Sequence, residues 1–318
     1  IGINLGDPMF RGIYHGKQAH EDDFSSVIQR ALESGVRKMM VTGSDLAEST
    51  HAVEIAKQHP GLCYATVGIH PCSASTLFSS PSPSSPSTSP SPPPPPPPPP
   101  TPPPSPALLA SLRTLAETSK ATGHCTALGE IGLDYDRLHY TPQAQQVAAF
   151  GAQLELAPSL QLPLFLHSRA AGADFHSLLT GHLGRGLEKL QLRKKGLVHS
   201  FTGSMAEAEA LLALPGIDIG VNGCSLKSEE NLAVVRMLPL DRLQIETDGP
   251  WCEIRPSHAS ARFLDGWSPP PERKCVKKER WARGAMVKGR NEPCEIGRVA
   301  WVVARVKGVA VEEVVEAA

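Results

Sequence analysis

The sequence predicts an α/β fold, a barrel of eight parallel strands each followed by a helix, and three observations carry that reading. Short β-rich runs alternate with longer segments of helical period, as in a parallel sheet with crossover helices. The runs number eight: Ile1 to Leu5, Val36 to Thr42, Cys63 to Ile69, Cys125 to Ile131, Leu162 to Leu166, Gly196 to Val198, Ile217 to Val221 and Leu243 to Glu246. No G-x-G-x-x-G or Walker loop follows the first run, which disfavours the competing doubly wound open sheet with its nucleotide crevice.

Between the runs, Phe24, Val27, Ile28, Ala31 and Leu32 share the spacing of one apolar helix face, and so do Met205, Ala208, Leu211 and Leu212. Ser204, three residues before Glu207, supplies the second of these helices with a capping box. Leu108, Leu109, Leu112 and Leu115 mark a helix between the third and fourth runs. A (β/α)8 barrel takes about 250 residues, so a chain of 318 has room for two enlarged loops. One is a block of proline, serine and threonine at 81–106 that holds 17 of the 31 prolines. We delimit the disordered insertion as 77–106 within a single domain of 1–318. Pro92 to Pro100 has only extended polyproline II open to it; it is either a ligand for an SH3 or WW type module or a tolerated low-complexity insertion. The other enlarged loop, Trp251 to Asn291, follows the eighth run.

Composition narrows the function. A net charge of −1, from 31 basic and 32 acidic residues, excludes a histone-like coat for polyanions. Seven cysteines without a C-x-x-C pair argue against a disulfide framework and a zinc knuckle, and for a reducing compartment. No apolar run approaches the roughly 18 residues of a membrane span, and the start lacks a signal-peptide pattern. The expectation is a soluble intracellular protein of the nucleus or cytoplasm. A start without Met and an end within the helical pattern of Val311, Val314 and Val315 suggest a chain trimmed at both ends.

The chemistry gathers at the C-terminal ends of the runs, where barrel active sites are built. His70, Glu130, His167, His199 and Asp248 stand at five of them. Imidazoles and carboxylates together suit one or two divalent ions, Mg²⁺, Mn²⁺ or Zn²⁺. Each residue alone has a plainer reading: His70 as a capped core histidine, Glu130 as a partner of Arg169, Asp248 as a cap. Their convergence favours the metal, and a metal with activated water points to hydrolysis, with Asp248 placed to accept the proton. Arg169 is either a rim ligand for phosphate or carboxylate, or a salt-bridge partner of Glu130 or Asp134. His15, His20, His51 and His59 read as solvent-exposed. Eight basic residues against Glu279 between Arg273 and Arg290, Lys277 and Arg280 among them, are either a grip for a single-stranded DNA end or a solvated charge run. Trp267 and Trp281 would add flat surfaces for base stacking.

Seven ordered motifs carry a family resemblance: Ile1-Gly2-Ile3-Asn4-Leu5, Gly68-Ile69-His70-Pro71, Gly129-Glu130-Ile131-Gly132-Leu133-Asp134, Leu166-His167-Ser168-Arg169, Val198-His199-Ser200-Phe201-Thr202-Gly203, Glu246-Thr247-Asp248-Gly249-Pro250 and Arg290-Asn291-Glu292-Pro293. The chain resembles TatD-type metal-dependent deoxyribonucleases, most nearly their eukaryotic TatD DNase domain-containing branch. The resemblance implies a TIM barrel of the metallo-dependent hydrolase superfamily, and hydrolysis of DNA phosphodiesters by metal-activated water, exonucleolytic from the 3′ end. It makes Glu130, His167, His199 and Asp248 metal ligands, with His70 at the second position or on the scissile phosphate. Arg290 and Asn291 join Arg169, Lys277, Arg280 and Trp281 as substrate-binding candidates. Gly2 and Asn4 replace the superfamily's His-x-His, and Ser168 and Gly249 replace a usual Cys and Ala. Two alternatives stay open. A hydrolase of small amides or esters would need a closed apolar pocket, and an inactive proline-rich scaffold would not need five polar strand ends.

Overall fold

The computed structural model describes residues 1–78, 101–268 and 273–318. After the first run comes a small hairpin, β1 (Ile13–Tyr14) and β2 (Lys17–Gln18), followed by α1 (Phe24–Glu33). The barrel continues with β3 (Met39–Val41), α2 (Leu46–Gln58), β4 (Cys63–Val67), α3 (Pro106–Ala121), β5 (Cys125–Asp134), α4 (Gln143–Leu160), β6 (Leu164–Arg169) and α5 (Gly172–Leu183). It ends with β7 (Gly196–Val198), α6 (Met205–Leu212), β8 (Ile217–Val221), α7 (Glu229–Met237) and β9 (Leu243–Ile245). A parallel pair, β10 (Cys275–Val276) and β11 (Met286–Val287), then precedes α8 (Ile296–Lys307) and α9 (Val311–Ala317).

Strands β3 to β9 form one parallel sheet in sequential order. The first run closes it, although its only ladder contact is the bridge between Ile3 and Val41. On one side Ile3 N donates to Met40 O and Thr42 N to Ile3 O; on the other Asp248 N donates to Gly2 O and Asn4 N to Gly249 O. The eighth element is therefore held by backbone bonds to both neighbours, and the fold is the expected (β/α)8 barrel.

Most of the core lies between sheet and helices. Phe24, Val27, Ile28 and Ala31 of α1 are buried, but Leu32, expected on the same face, is 41% exposed. The capping box of α6 forms: Glu207 N donates to Ser204 Oγ and Ser204 N to Glu207 Oε2. A smaller cluster of Ala127, Phe165 and Leu197, with Met40 against it, fills the barrel interior. Phe165 lies 4.5 Å from the His199 ring, so this plug is the floor of the mouth.

Both edges of the expected insertion are structured. Leu77 is buried at the end of the 3-10 helix Pro71–Phe78, while Ser105 N donates to Leu77 O and the Ser105 hydroxyl caps α3. The boundaries at 77 and 106 therefore move inward, and the polyproline reading of Pro92 to Pro100 lies outside the described residues. No helix among the described residues is long and apolar enough to cross a membrane.

Candidate metal centre at the barrel mouth

Glu130 was expected at a strand end and lies instead within β5, which runs on to Asp134. The pairing register with β6 shifts between Leu128 and Ile131. Such a bulge re-aims side chains, and Glu130 N is tied to Gly43 O at 2.9 Å. Its Oε1 atom meets three imidazoles, His199 Nε2 at 2.7 Å, His167 Nδ1 at 2.9 Å and His70 Nε2 at 3.4 Å. His70 follows β4, His167 lies in β6 and His199 follows β7, so four consecutive strands converge on one carboxylate oxygen.

The far nitrogens decide what each ring can do. His199 Nδ1 faces Glu246 Oε2 at 3.5 Å and His167 Nε2 faces Asp134 Oδ2 at 3.3 Å. A carboxylate behind an imidazole fixes the proton on the rear nitrogen and leaves the front one basic, the arrangement of metal-ligating histidines. His70 differs, because its Nδ1 accepts the Cys72 N–H at 3.0 Å. Neutral His70 therefore carries its proton on Nε2 and is a donor toward the mouth.

Asp248 closes the group from the other side of the barrel. Its Oδ1 accepts from Asn4 Nδ2 at 3.1 Å and its Oδ2 from the Cys252 thiol at 3.2 Å. Gly2 explains why the first strand carries no histidine there. Its φ is +60°, and a Cβ on it would lie 2.9 Å from Glu246 Oε2 and 3.3 Å from the Phe165 ring. Glu246 and the plug fill the space that a side chain at position 2 would need.

Electrostatics separate the roles. Burial pushes Glu130 toward the neutral acid, but the charges of His199 and His70 and the hydrogen bonds from His167 and His199 outweigh it and hold it well below its ordinary value. Burial lowers His199, and the opposing pull of Glu130 and Glu246 wins, leaving it well above the ordinary imidazole value. Asp248 is pushed up to about 6, by burial first and then by Glu130 and Glu246, against the pull of His199. Each dependence on a neighbour reflects charges gathered in one small volume.

The donor set fits a divalent cation. Ligand atoms of His70, Glu130 and His167 all lie within 4.8 Å of one another. Bonds of about 2.1 Å place adjacent ligands roughly 3.0 to 3.4 Å apart; the His70 separation of 3.4 Å lies in that range, while the 2.9 Å to His167 and 2.7 Å to His199 are those of direct hydrogen bonds. Among the described residues the buried Asp134 Oδ1 has no hydrogen-bond partner, whereas His199 Nδ1 and Glu246 Oε2 face each other at 3.5 Å behind the ring. Glu130 and His167, with His199 on the same Glu130 oxygen and Asp248 opposite, could hold the ion; His70 stands in the same group, and with its proton on Nε2 it faces the mouth as a donor.

The substrate candidates divide. Arg169 is a half-exposed rim residue paired at 2.9 Å with Asp136, and not with Glu130 or Asp134. Arg290 does not reach the mouth: its side chain is fully buried, held by Asp23, Glu292 and Met9 O. Asn291 is buried too, its amide donating to Thr247 O and its oxygen accepting from Glu292 N. Lys277 and Arg280 are exposed, whereas Trp281 is half-buried, stacked 4.7 Å from His20 with its indole N–H on Ala285 O. His20 is consequently buried, against expectation, while His15 and His51 are exposed and His59 half-buried. Trp267 packs against Gly297 and lies 5.9 Å from the Trp301 ring.

The sequence leaves unmarked four groups at the mouth, Asp134, Glu246, Asn4 and Trp251, and beside it the thiol pair of Cys224 and Cys252. Asp134 and Glu246 each share strand parity with a chosen carboxylate, Glu130 and Asp248, and that signal could have found them. Asn4 was noted only as a departure. Trp251, 54% exposed, is carried close to Asp248 by a turn in which its N–H donates to Asp248 O. Cys224 and Cys252 lie 3.0 Å apart, and nothing in their spacing predicts it; their shared hydrogen bond holds the Cys224 thiol below its ordinary value and Cys252 well above it.

Comparison with known proteins agrees with this fold. The family model described as TatD related DNase matches residues 14–318. Deoxyribonuclease Tat-D of Schizosaccharomyces pombe is 46% identical over 99% of this chain and 91% of its own length. The 3'-5' ssDNA/RNA exonuclease TatD of Erwinia amylovora is 33% identical over 98% of this chain and 93% of its own. Among solved structures, an uncharacterized amidohydrolase from Saccharomyces cerevisiae superposes with a TM-score of 0.82 at 36% identity, covering 100% of this chain and 96% of that one. A TatD family hydrolase from Entamoeba histolytica gives 0.80 at 30% identity, covering 100% and 95%. With the barrel, its motifs and these matches in agreement, the chain belongs to the TatD-related DNase family.

Proposed function

We propose that the protein is a divalent-metal-dependent deoxyribonuclease, one catalytic domain that removes nucleotides from the 3′ end of single-stranded DNA. One observation carries this reading: a single buried carboxylate oxygen, Glu130 Oε1, faces three histidine nitrogens at the C-terminal mouth of the barrel. When bound there, a divalent ion supplies Lewis acidity, lowering the pKa of water from 15.7 toward about 7 and offsetting charge on the phosphoryl oxygens. Glu130, His167, His199 and Asp248 would hold it. Asp248, oriented by Asn4 and Cys252, accepts the proton of the attacking water. His70 presents its Nε2–H to a phosphate oxygen. The exposed Trp251 indole is a surface on which an unpaired base can stack, and the exposed Lys274, Lys277 and Arg280 attract the strand.

The relatives support the substrate class, since those from bacteria are named 3'-5' ssDNA/RNA exonucleases. Two apolar cavities, one bordered by Phe175, Phe201 and Leu211 and one by Ile1, Met39 and Ile245, are lined by none of the five site residues. The test is chelation followed by return of Mg²⁺, Mn²⁺ or Zn²⁺, with oligonucleotides labelled at the 5′ or the 3′ end. A ladder shortening from the 3′ end that needs a metal is expected. Turnover that survives chelation would overturn the metal, and internal cuts would overturn the direction.

A further inference from the structure

Cys224 and Cys252 are far apart in the chain and sit in different loops, after β8 and after β9, yet their sulfurs are 3.0 Å apart. The approach is built into the backbone. A Cβ at Gly223 would lie 2.1 Å from the Cys252 carbonyl oxygen, so only glycine lets the two loops come this close. Cys252 is held on its side by the turn from Asp248 to Trp251 and has a φ of +56°. Neither thiol is fully buried, in contrast to Cys63, Cys125 and Cys294. A disulfide bond is about 2.05 Å long, so bonding requires roughly 1 Å of closure. Beyond their mutual contact, Cys224 touches none of the groups assigned to the ion, whereas Cys252 donates its thiol proton to Asp248 Oδ2.

We propose that Cys224 and Cys252 are an oxidation site, a dithiol that a hydroperoxide converts to a disulfide, and that the bond weakens catalysis by withdrawing from Asp248 one of its two donors. The Cys224 sulfur attacks the peroxide O–O bond, forming a sulfenic acid and releasing water or an alcohol. The Cys252 sulfur then attacks the sulfenic sulfur, the S–O bond breaks, and the oxygen leaves as water with the second thiol proton. Overall two thiols lose two electrons and two protons, and the peroxide takes up both. Asp248 Oδ2 loses its S–H donor and keeps only the Asn4 bond on Oδ1.

The experiment treats the metal-loaded full chain with hydrogen peroxide, blocks the remaining thiols and maps the peptides. A peptide pair linked through 224 and 252 is expected before the exposed Cys275 reacts, and dithiothreitol reverses it. Turnover of single-stranded DNA falls in step with the link, on the order of tenfold as for loss of a partner behind a ligand. Cys224→Ser keeps basal turnover and loses the peroxide response. Absence of the link under conditions that oxidise Cys275 overturns the site. A link without loss of turnover, or an equally sensitive Cys224→Ser, overturns its effect. The activity arm rests on the nuclease reading. A reduced protein inert toward DNA would sink that reading, while the peptide map still decides the dithiol.

Discussion

Two of the buried polar clusters among the described residues are built on opposite plans. Asp23, Arg30, Arg290 and Glu292 combine two acids with two guanidinium groups. Each carboxylate oxygen there is paired, and the only buried polar atom of the four without a partner is Arg290 Nε. The cluster at the mouth combines Glu130, Glu246 and Asp248 with three histidines, and among the described residues no lysine or arginine bonds to any of those three acids. Its rear contact, His199 Nδ1 to Glu246 Oε2, is long at 3.5 Å. A network that carries its own countercharge is complete and holds segments together. A network whose only countercharge is imidazole is a place for a cation, because a ring that ligates a metal must be neutral.

That contrast breaks if the two clusters respond alike to substitution. The largest effect belongs to the mouth: Asp248→Asn and Glu130→Gln should each lower phosphodiester turnover on the order of a thousandfold, about 4 kcal/mol of barrel-mouth chemistry, with melting temperature changed little. Initial rates on an oligonucleotide and circular dichroism check both halves, and near-normal turnover in Asp248→Asn removes that residue from the mechanism. Arg290→Met should reverse the pattern, costing about 3 to 5 kcal/mol of stability because Asp23 and Glu292 are left buried and under-compensated. Urea unfolding measures it; a loss below about 1 kcal/mol, the size of an exposed pair, would mean that the cluster is not structural.

Finer tests sharpen the boundary between the clusters. Glu246→Gln keeps the shape behind His199 and removes the charge, so metal affinity should fall about 10- to 100-fold. Calorimetric titration of the stripped protein reads this without any activity assay, and unchanged affinity would return Glu246 to a packing role. The smallest effect is expected from Lys274, Lys277, Lys278 and Arg280 replaced by Ala. KM for oligonucleotides should rise several-fold and lose part of its salt dependence, by about one unit of slope per phosphate contact removed. A small chromogenic phosphodiester should be hydrolysed as before; equal loss on both substrates would place the segment in catalysis or in folding.

This last substitution set is narrower than the charge run in the sequence suggests. Of its eight basic residues, Arg273 is bonded to Cys294 O and Glu295 and Arg290 belongs to the closed network, so neither is free to meet DNA. Trp281 likewise stacks on His20, and Trp267 packs on Gly297. The exposed aromatic near Asp248 is Trp251, which the sequence marks only as the start of a long loop.

The eight strands, their order and the five polar residues near their C-terminal ends were legible in the sequence, because apolar period and strand polarity are local properties that a parallel barrel repeats around its axis. Which of those residues is ligand, donor or buried strut was not legible. It depends on what stands behind each group: Glu246 behind His199, the Cys72 N–H behind His70, Asp23 and Glu292 around Arg290. The thiols of Cys224 and Cys252 meet only because two loops cross at Gly223. Such partners are chosen by the closing of the barrel, since a hydrogen bond is decided by a few tenths of an ångström between atoms as far apart in sequence as Asn4 and Asp248.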